Sequence, residues 1–472
     1  MSAGMGRRER GHQPGSAPGA ADAPPTPTVS GGARTRRAWL QGIAGSSALL
    51  GAATVGCGRG ATEGAPSGGA KAPVTLEIIQ DPQSPLIQEA WPKIWQNFQA
   101  AHPGLTVNYD MPVWGTIQEK ILTLAASNSL PDVTYIHTQF LPDWHAAGVL
   151  RDLNPLMARD KAVKPEDFFP GVLAFFQPAG TTRGLPFFSG PAMLFYNKSL
   201  FQRYGLTDPN QYEKEGKWTW ETFLELSRQL TRGEGQGKTF GYQGTNSQLV
   251  WHAMWVWMNG GELWDKAETT FLMHEAPAAE AIQFQIDLVT RHRVQPNAEE
   301  NASLTGGFLA GRSGMYLFGK GYATNISGMK DLEAGICPVP KGKQGRVCRD
   351  GPGAVGVTSQ SRHPDEAFQL VKYMTGPGGQ EQFLALGASV PVRKSLSTAK
   401  EYLNALLPWE DRAVYEDASK SVRPIVYPPG FGEIEKAWQA ARTEMLEGRA
   451  AARDALLAIK PGVDGVLGAA KR

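Results

Sequence analysis

Between Val74 and Ile136 the hydrophobic period changes repeatedly, and those changes restrict the fold more than any other feature of the chain. Val74 to Ile79 alternates apolar and polar residues, the pattern of a half-buried strand. Ser84-Pro85 then supplies an N-cap and a proline at the first helical position, Ile87, Ala90, Trp91, Ile94 and Phe98 follow at helical spacing, and Pro103-Gly104 stops the helix. Leu105 to Tyr109 reads as a strand, Thr116 to Ser127 as a helix carrying Ile117, Ile121, Leu122 and Leu124, and Asp132 to Ile136 as a third strand after Pro131. Strand, helix, strand, helix, strand describes a parallel α/β layer. Ligands bind such layers beyond the carboxyl ends of the strands. Those ends carry Gln80-Asp81, Met111 to Trp114, and His137-Thr138-Gln139-Phe140, so Asp81, Trp114, Thr138 and Gln139 are candidate contacts.

The stretch "GLPFFSGPAMLFYNKSLF", Gly184 to Phe201, is apolar and aromatic but broken by two prolines and several small residues. A membrane-spanning helix needs about 20 mostly apolar residues, so this segment reads instead as a buried, extended, interrupted crossing. Beyond it the pattern is mostly helical. Thr219 is placed to cap a helix with Glu221 in its first turn, Val250 to Met258 is strongly apolar, and Ala276 to His292 and His363 to Met374 are helical. Strands are expected near Phe318, over Glu333 to Pro340 and over Gly351 to Ser359.

The 472 residues allow roughly two or three domains, and a formal net charge of +2 offers no electrostatic case for nucleic acid. Residues 1–72 are set apart. Met1 to Gly32 is too rich in Gly, Pro, Ala and Ser to build a core. Arg34, Arg36 and Arg37 then head a mildly apolar stretch, Trp39 to Gly56, closed by Cys57, which is the layout of an export signal. Thr35 to Leu40 resembles a twin-arginine motif, and Thr54-Val55-Gly56-Cys57 resembles a lipobox that would lipidate Cys57, although Thr54 stands where leucine is usual. Cys337 and Cys348 flank a Lys-Gly-Lys-Gln-Gly turn that could bring the thiols together as a disulfide in an exported protein; the same spacing also fits two unrelated thiols.

No sequence motif places a nucleophile beside its base, and the histidines do not cluster at metal-ligand spacing, so no catalytic residue, metal or cofactor is assigned. "GPGAVG", Gly351 to Gly356, matches a dinucleotide fingerprint, but a strand pattern follows where a helix should open. The aromatics are more informative. Trp251 and Trp255 share one helix face, and Trp251 follows the polar loop Gly244 to Gln248, so Trp251 is the better binding candidate and Trp255 the better core residue. An aromatic face can stack on a sugar ring while amides and hydroxyls take its hydroxyl groups.

Several phrases together resemble segments of the extracellular solute-binding proteins of ABC importers, the family that includes maltose- and oligosaccharide-binding proteins. They are the Gly184–Phe201 stretch, "WTWETFLELSRQLT", "WMNGGELWD", "GRSGMYLFGKGYATN", "AGICPVPKG", "GPGAVGVTSQSRHPDEAFQLVKYMTGPGGQEQF" and "SVPVRKSL", in family order over nearly all of Pro73 to Lys460. The resemblance implies an α/β, two-lobed periplasmic-binding-protein-like fold (type II), with the ligand cleft between lobes and three hinge crossings. It places lobe 1 at 73–188 plus 341–388, lobe 2 at 189–340 plus 389–461, and a tail at 462–472. Phe188 to Ala192, Gly335 to Pro340 and Leu386 to Pro391 would be the crossings, with Ser189 at the first.

By the same resemblance, Gln248 and Trp251 would line the second lobe's wall and Gly351 and Gly353 would line the cleft through backbone. Gly321 stands where many relatives carry a sugar-stacking tryptophan, with Tyr322 beside it, and Tyr427 and Phe431 would add aromatics from the C-terminal part. The implied role is capture of a mono- or oligosaccharide without turnover. The implied partners are an ABC permease with a separate ATPase, with the protein a monomer held at the outer face of the cytoplasmic membrane through Cys57. Two other readings stay open. One is an exported lipid-anchored glycoside hydrolase, with two carboxylates about 5–10 Å apart. The other is a binding protein for a non-sugar solute such as a glycerophosphate or peptide, with Lys320 or Arg393 pointing into the cleft.

Overall fold

The computed structural model describes residues 72–80, 85–113, 116–244, 247–304, 306–329 and 331–470. The export signal, Cys57, Asp81 and Trp114 lie outside the described residues. Every described residue belongs to one unit, Ala70–Arg472.

The alternating segment folds as its periodicity dictates. Strands β1 (Val74–Ile79), β2 (Leu105–Asp110) and β3 (Val133–His137) are parallel, with β1 between the other two. The intervening helices are Pro85–Ala101 and Ile117–Ala126. Leu76 and Ile78 share one buried apolar cluster with Trp91, Ile94 and Phe98 of the first helix. Strands β4 (Leu185–Phe188) and β9 (Gly353–Val357) extend this sheet, in the order β2-β1-β3-β9-β4, with β9 antiparallel to both neighbours. "GPGAVG" therefore leads into a strand, and the next helix begins only at Pro364, which removes the dinucleotide reading.

A second sheet has the order β6-β7-β5-β8, built from β5 (Ala192–Asn197), β6 (Phe240–Gln243), β7 (Ser313–Gly319) and β8 (Ala334–Cys337). All of β5 is buried, since it lies between β7 and β8, and this accounts for the apolar run through Tyr196. The helix Leu249–Met258 is buried along its whole length. Trp255 packs in the core against Trp220, Phe223 and Phe284.

The chain passes from the first sheet to the second between β4 and β5 and returns between β8 and β9. The residues 341–348, expected in the first lobe, stay with the second. Lys341 bridges Thr219, and Cys348 bridges Val422. That pairing turns Cys348 away from a hairpin with Cys337, which sits in β8 opposite Leu194. Both cysteines are buried and free, so the proposed disulfide is not formed. Burial raises both thiols, Cys348 to about 12, leaving neither a ready thiolate. The residues assigned to a tail from 462 are also helical: Ala452–Ala469 is one helix, and Val463 and Leu467 are buried in it.

The crossings are fastened to one another. Ser189 Oγ donates to Asp350 Oδ2 at 2.6 Å, and the Gly190 and Gly351 amides donate to Asp350 Oδ1 at 3.0 and 2.7 Å. Ala192 N donates to the Arg349 carbonyl at 2.8 Å. Val390 N and Ser389 Oγ both donate to the Ser189 carbonyl, which brings in the segment around Val390 as a third strand of the hub. The backbones are so close that a Cβ on Gly319 would lie 2.5 Å from the Gly190 carbonyl oxygen.

Candidate functional site

In the first sheet, β1 pairs with β2 on one side and β3 on the other, so the strand order reverses between β1 and β3. The crevice beyond the carboxyl ends at such a point is where α/β sheets bind ligands. Gln80 stands at the end of β1 and is fully buried. Among the described residues, neither its Nε2 nor its Oε1 has a hydrogen-bond partner. Thr138, just past β3, is 2% exposed, and its hydroxyl meets no partner at hydrogen-bonding geometry, although the Tyr427 hydroxyl lies close by. Buried polar groups are nearly always paired, and an unpaired one costs about 1–3 kcal/mol. Both groups stand on the strands that flank the reversal, at the carboxyl ends of β1 and β3.

His137 closes β3 and accepts from the Gln139 amide at 3.2 Å. Burial, and then the positive charge of Arg349, hold its pKa down to about 3, so the imidazole is neutral at physiological pH.

The opposing wall is aromatic. Tyr316 and Phe318 alternate on one face of β7, half-buried, with nearly parallel rings 5.9 Å apart. Phe318 stacks on Trp251 at 5.4 Å, and Tyr322 packs 4.5 Å from Tyr316 and 5.5 Å from Phe318. The guanidinium of Arg349 lies 4.2 Å over the Trp251 ring and neighbours the Tyr427 hydroxyl. Tyr427 and Phe431 meet edge to face at 4.9 Å. One buried apolar cluster runs from Ile79, Ile136 and Phe140 of the first lobe to Trp251, Tyr427 and Phe431, so the lobes touch along this seam.

The predicted contacts are therefore brought together unevenly. Thr138, Trp251, Tyr427 and Phe431 converge. Trp251 is only 7% exposed and stacked by Phe318 and Arg349, so its indole is engaged within the protein. Gln139 and Gln248 are exposed, and Gln248 occupies the N-cap position of the Trp251 helix. Ser189 is consumed by the hinge. Gly353 is buried in β9 against the Tyr135 ring, Gly351 is half-buried beside the Arg349 guanidinium, and a Cβ on Gly321 would lie 3.7 Å from the Ala388 carbonyl oxygen.

Lys320 and Arg393 do not face the cleft. Lys320 is sealed in an ion pair with Glu410 at 2.6 Å, and Arg393 holds the Thr375 carbonyl and Asp167. Arg349 carries little signal in the sequence beyond being a cation directly before the Asp-Gly-Pro-Gly turn. No group of acids, histidines or cysteines among the described residues has the arrangement of a metal site.

The family model for bacterial extracellular solute-binding proteins matches residues 84–381. The chain belongs to that family. A putative binding protein of Brucella abortus is 24% identical over 352 residues, covering 71% of this chain and 80% of its own length. Among solved structures, the sugar-binding protein MalE of Xanthomonas citri superposes with a TM-score of 0.72 at 21% identity, over 84% of this chain and 98% of that one. The substrate-binding protein Lmo0181 of Listeria monocytogenes, solved with cycloalternan, gives 0.71 at 18% identity, over 84% and 99%. At such identities the likeness establishes the fold: two α/β lobes, as the two sheets and their linked crossings require.

Proposed function

We propose that the protein captures a mono- or oligosaccharide between its lobes and hands it, unchanged, to an ABC permease powered by a separate ATPase. The observation that carries this reading is the buried Gln80 side chain, unpartnered among the described residues at the reversal of the first sheet, with Thr138 beside Tyr427 at the end of the neighbouring strand and an aromatic cluster around Trp251. The amide and the hydroxyl suit sugar hydroxyls, and the aromatics suit the apolar face of a ring. The similar structures, a sugar-binding protein from Xanthomonas and a substrate-binding protein from Listeria in complex with cycloalternan, support the same class. Binding is linked to closure: contacts made to both lobes favour the closed form over an open one a few kcal/mol away. The carboxylates beside the cleft are occupied, Asp350 by the hinge and Glu435 by the Leu249 amide and Gln439, which favours binding over glycoside cleavage.

Calorimetry against a carbohydrate panel tests the reading, with recovered ligand checked by mass spectrometry. Binding with intact recovery supports a carrier. Cleaved product makes it a hydrolase, and silence across the panel removes the sugar. We further place the protein outside the cytoplasmic membrane as a monomer anchored through Cys57. Cys57→Ser should release it from the membrane fraction.

A further inference from the structure

Arg349 joins all the parts of the cleft. Its carbonyl accepts from Ala192 in the hinge, its side chain lies over Trp251 of the second lobe, and it neighbours Tyr427. It is half-buried, yet it forms no ion pair among the described residues. The acids closest to it are already engaged. Asp350 spends both oxygens on Ser189, Gly190 and Gly351. Glu435, which influences Tyr427, accepts from the Leu249 amide and from Gln439 and has Arg442 beside it. Arg349 Nε is buried without a partner.

A guanidinium stacked on an indole uses its faces and leaves its N–H groups directed outward in its plane. That edge matches a phosphate or carboxylate, which it can hold through two parallel hydrogen bonds. Asp350 and the Tyr427 hydroxyl favour its charge, but no carboxylate among the described residues is paired with it and its Nε stays unpartnered, so an incoming anion would complete its pairing. Thr138 lies beside Tyr427, and Gln80 ends the strand next to β3.

We infer that the natural solute is an acidic one, a hydroxyl-bearing body that carries a phosphate or a carboxylate, and that Arg349 is its counter-charge. The inference rests on the carrier reading above and narrows its substrate class. It moves the positive charge from Lys320 and Arg393, which the fold consumes, to a residue at the hinge.

The test is calorimetry of the purified protein with glucose and maltose as neutral probes, glucose 6-phosphate and glycerol 3-phosphate as phosphate esters, and glucuronate as a carboxylate. At least one acidic probe should bind more tightly than its neutral parent, and its affinity should weaken as salt is raised. Arg349→Gln should reduce that affinity by about 100-fold or more, the scale of truncating one partner of a buried charged pair. Arg349→Lys should retain part of it, and circular dichroism should show both variants folded. Binding confined to phosphate esters assigns a phosphate, and binding confined to glucuronate assigns a carboxylate. Neutral sugars that bind as well as their acids overturn the inference and leave the carrier intact. So does an acid preference that survives Arg349→Gln. Silence with every probe, neutral and acidic, counts against both readings.

Discussion

Lys320 and Glu410 are 1% and 0% exposed, and their charged atoms meet at 2.6 Å directly beyond the end of β7. Glu410 also accepts from the Tyr415 hydroxyl and, through Oε2 at 2.8 Å, from the Leu407 amide. Beyond Glu410, Lys320 has the Tyr415 ring, 5.3 Å from its Nζ, and burial lowers its pKa even with Glu410 opposing the shift. The two partners should therefore respond unequally. Removing one member of a buried pair costs about 3–5 kcal/mol, because the other charge is stranded. Glu410→Gln strands the ammonium and should reach that range. Lys320→Met leaves a carboxylate that still has two donors and should cost less, and the double variant should recover much of the loss.

The same pair predicts a pH dependence for Glu410→Gln. Its Lys320 has a folded-state pKa below the unfolded value, so the unfolded chain binds more protons, and stability rises with pH until both states are neutral. Urea unfolding followed by tryptophan fluorescence, at pH about 8 and about 10, measures these differences. The reasoning fails if Glu410→Gln lies within about 1 kcal/mol of the parent. It fails equally if Lys320→Met costs as much as Glu410→Gln, or if Glu410→Gln is insensitive to pH.

Three further outcomes are expected. Gln80→Leu removes two unpaired polar atoms from a buried position, so it should weaken solute binding about tenfold or more while thermal stability holds or rises, as calorimetry and melting curves would show. His137 has a native pKa of about 3, far below its unfolded value, so its contribution to stability should fall as the pH drops below about 6.5, and His137→Gln should flatten that acid limb in pH-dependent denaturation. Gly319→Val puts a side chain where a Cβ would already lie 2.5 Å from the Gly190 carbonyl oxygen, so it should lower the melting temperature and disturb closure as seen by small-angle scattering.

The first lobe was legible because its strands and helices are amphipathic: the periods that mark Val74 to Ile136 are the ones the packing uses. The first crossing was legible through composition, since a strand enclosed on both sides must be apolar and crowded backbones need glycine, whereas the second, expected at Gly335 to Pro340, begins inside β8 of the second sheet. The turn after Pro340 was not. Pairings between distant residues, Lys341 with Thr219 and Cys348 with Val422, decide its position, and they leave no local pattern. The site divides in the same way. Thr138 could be read from its place after a strand, whereas Arg349 gains its role only when the hinge lays it on Trp251, about a hundred residues earlier in the chain.

That separation also bears on how closure is controlled. The bonds among Ser189, Asp350 and Ser389 lie within the hub, where they tie the crossing segments to one another rather than one lobe face to the other. Tyr427 beside Thr138, and the apolar seam from Ile136 to Phe431, instead join one lobe to the other. A hub that keeps its own hydrogen bonds contributes little to the difference between the two states. The seam must therefore supply the part of the closing free energy that is independent of solute. A cation–π contact of about 0.5–2 kcal/mol, such as Arg349 on Trp251, is comparable with the few kcal/mol that separate the forms. A solute that draws the guanidinium toward itself then has to return at least that much through contacts of its own, which makes Arg349 a filter on what can hold the lobes shut.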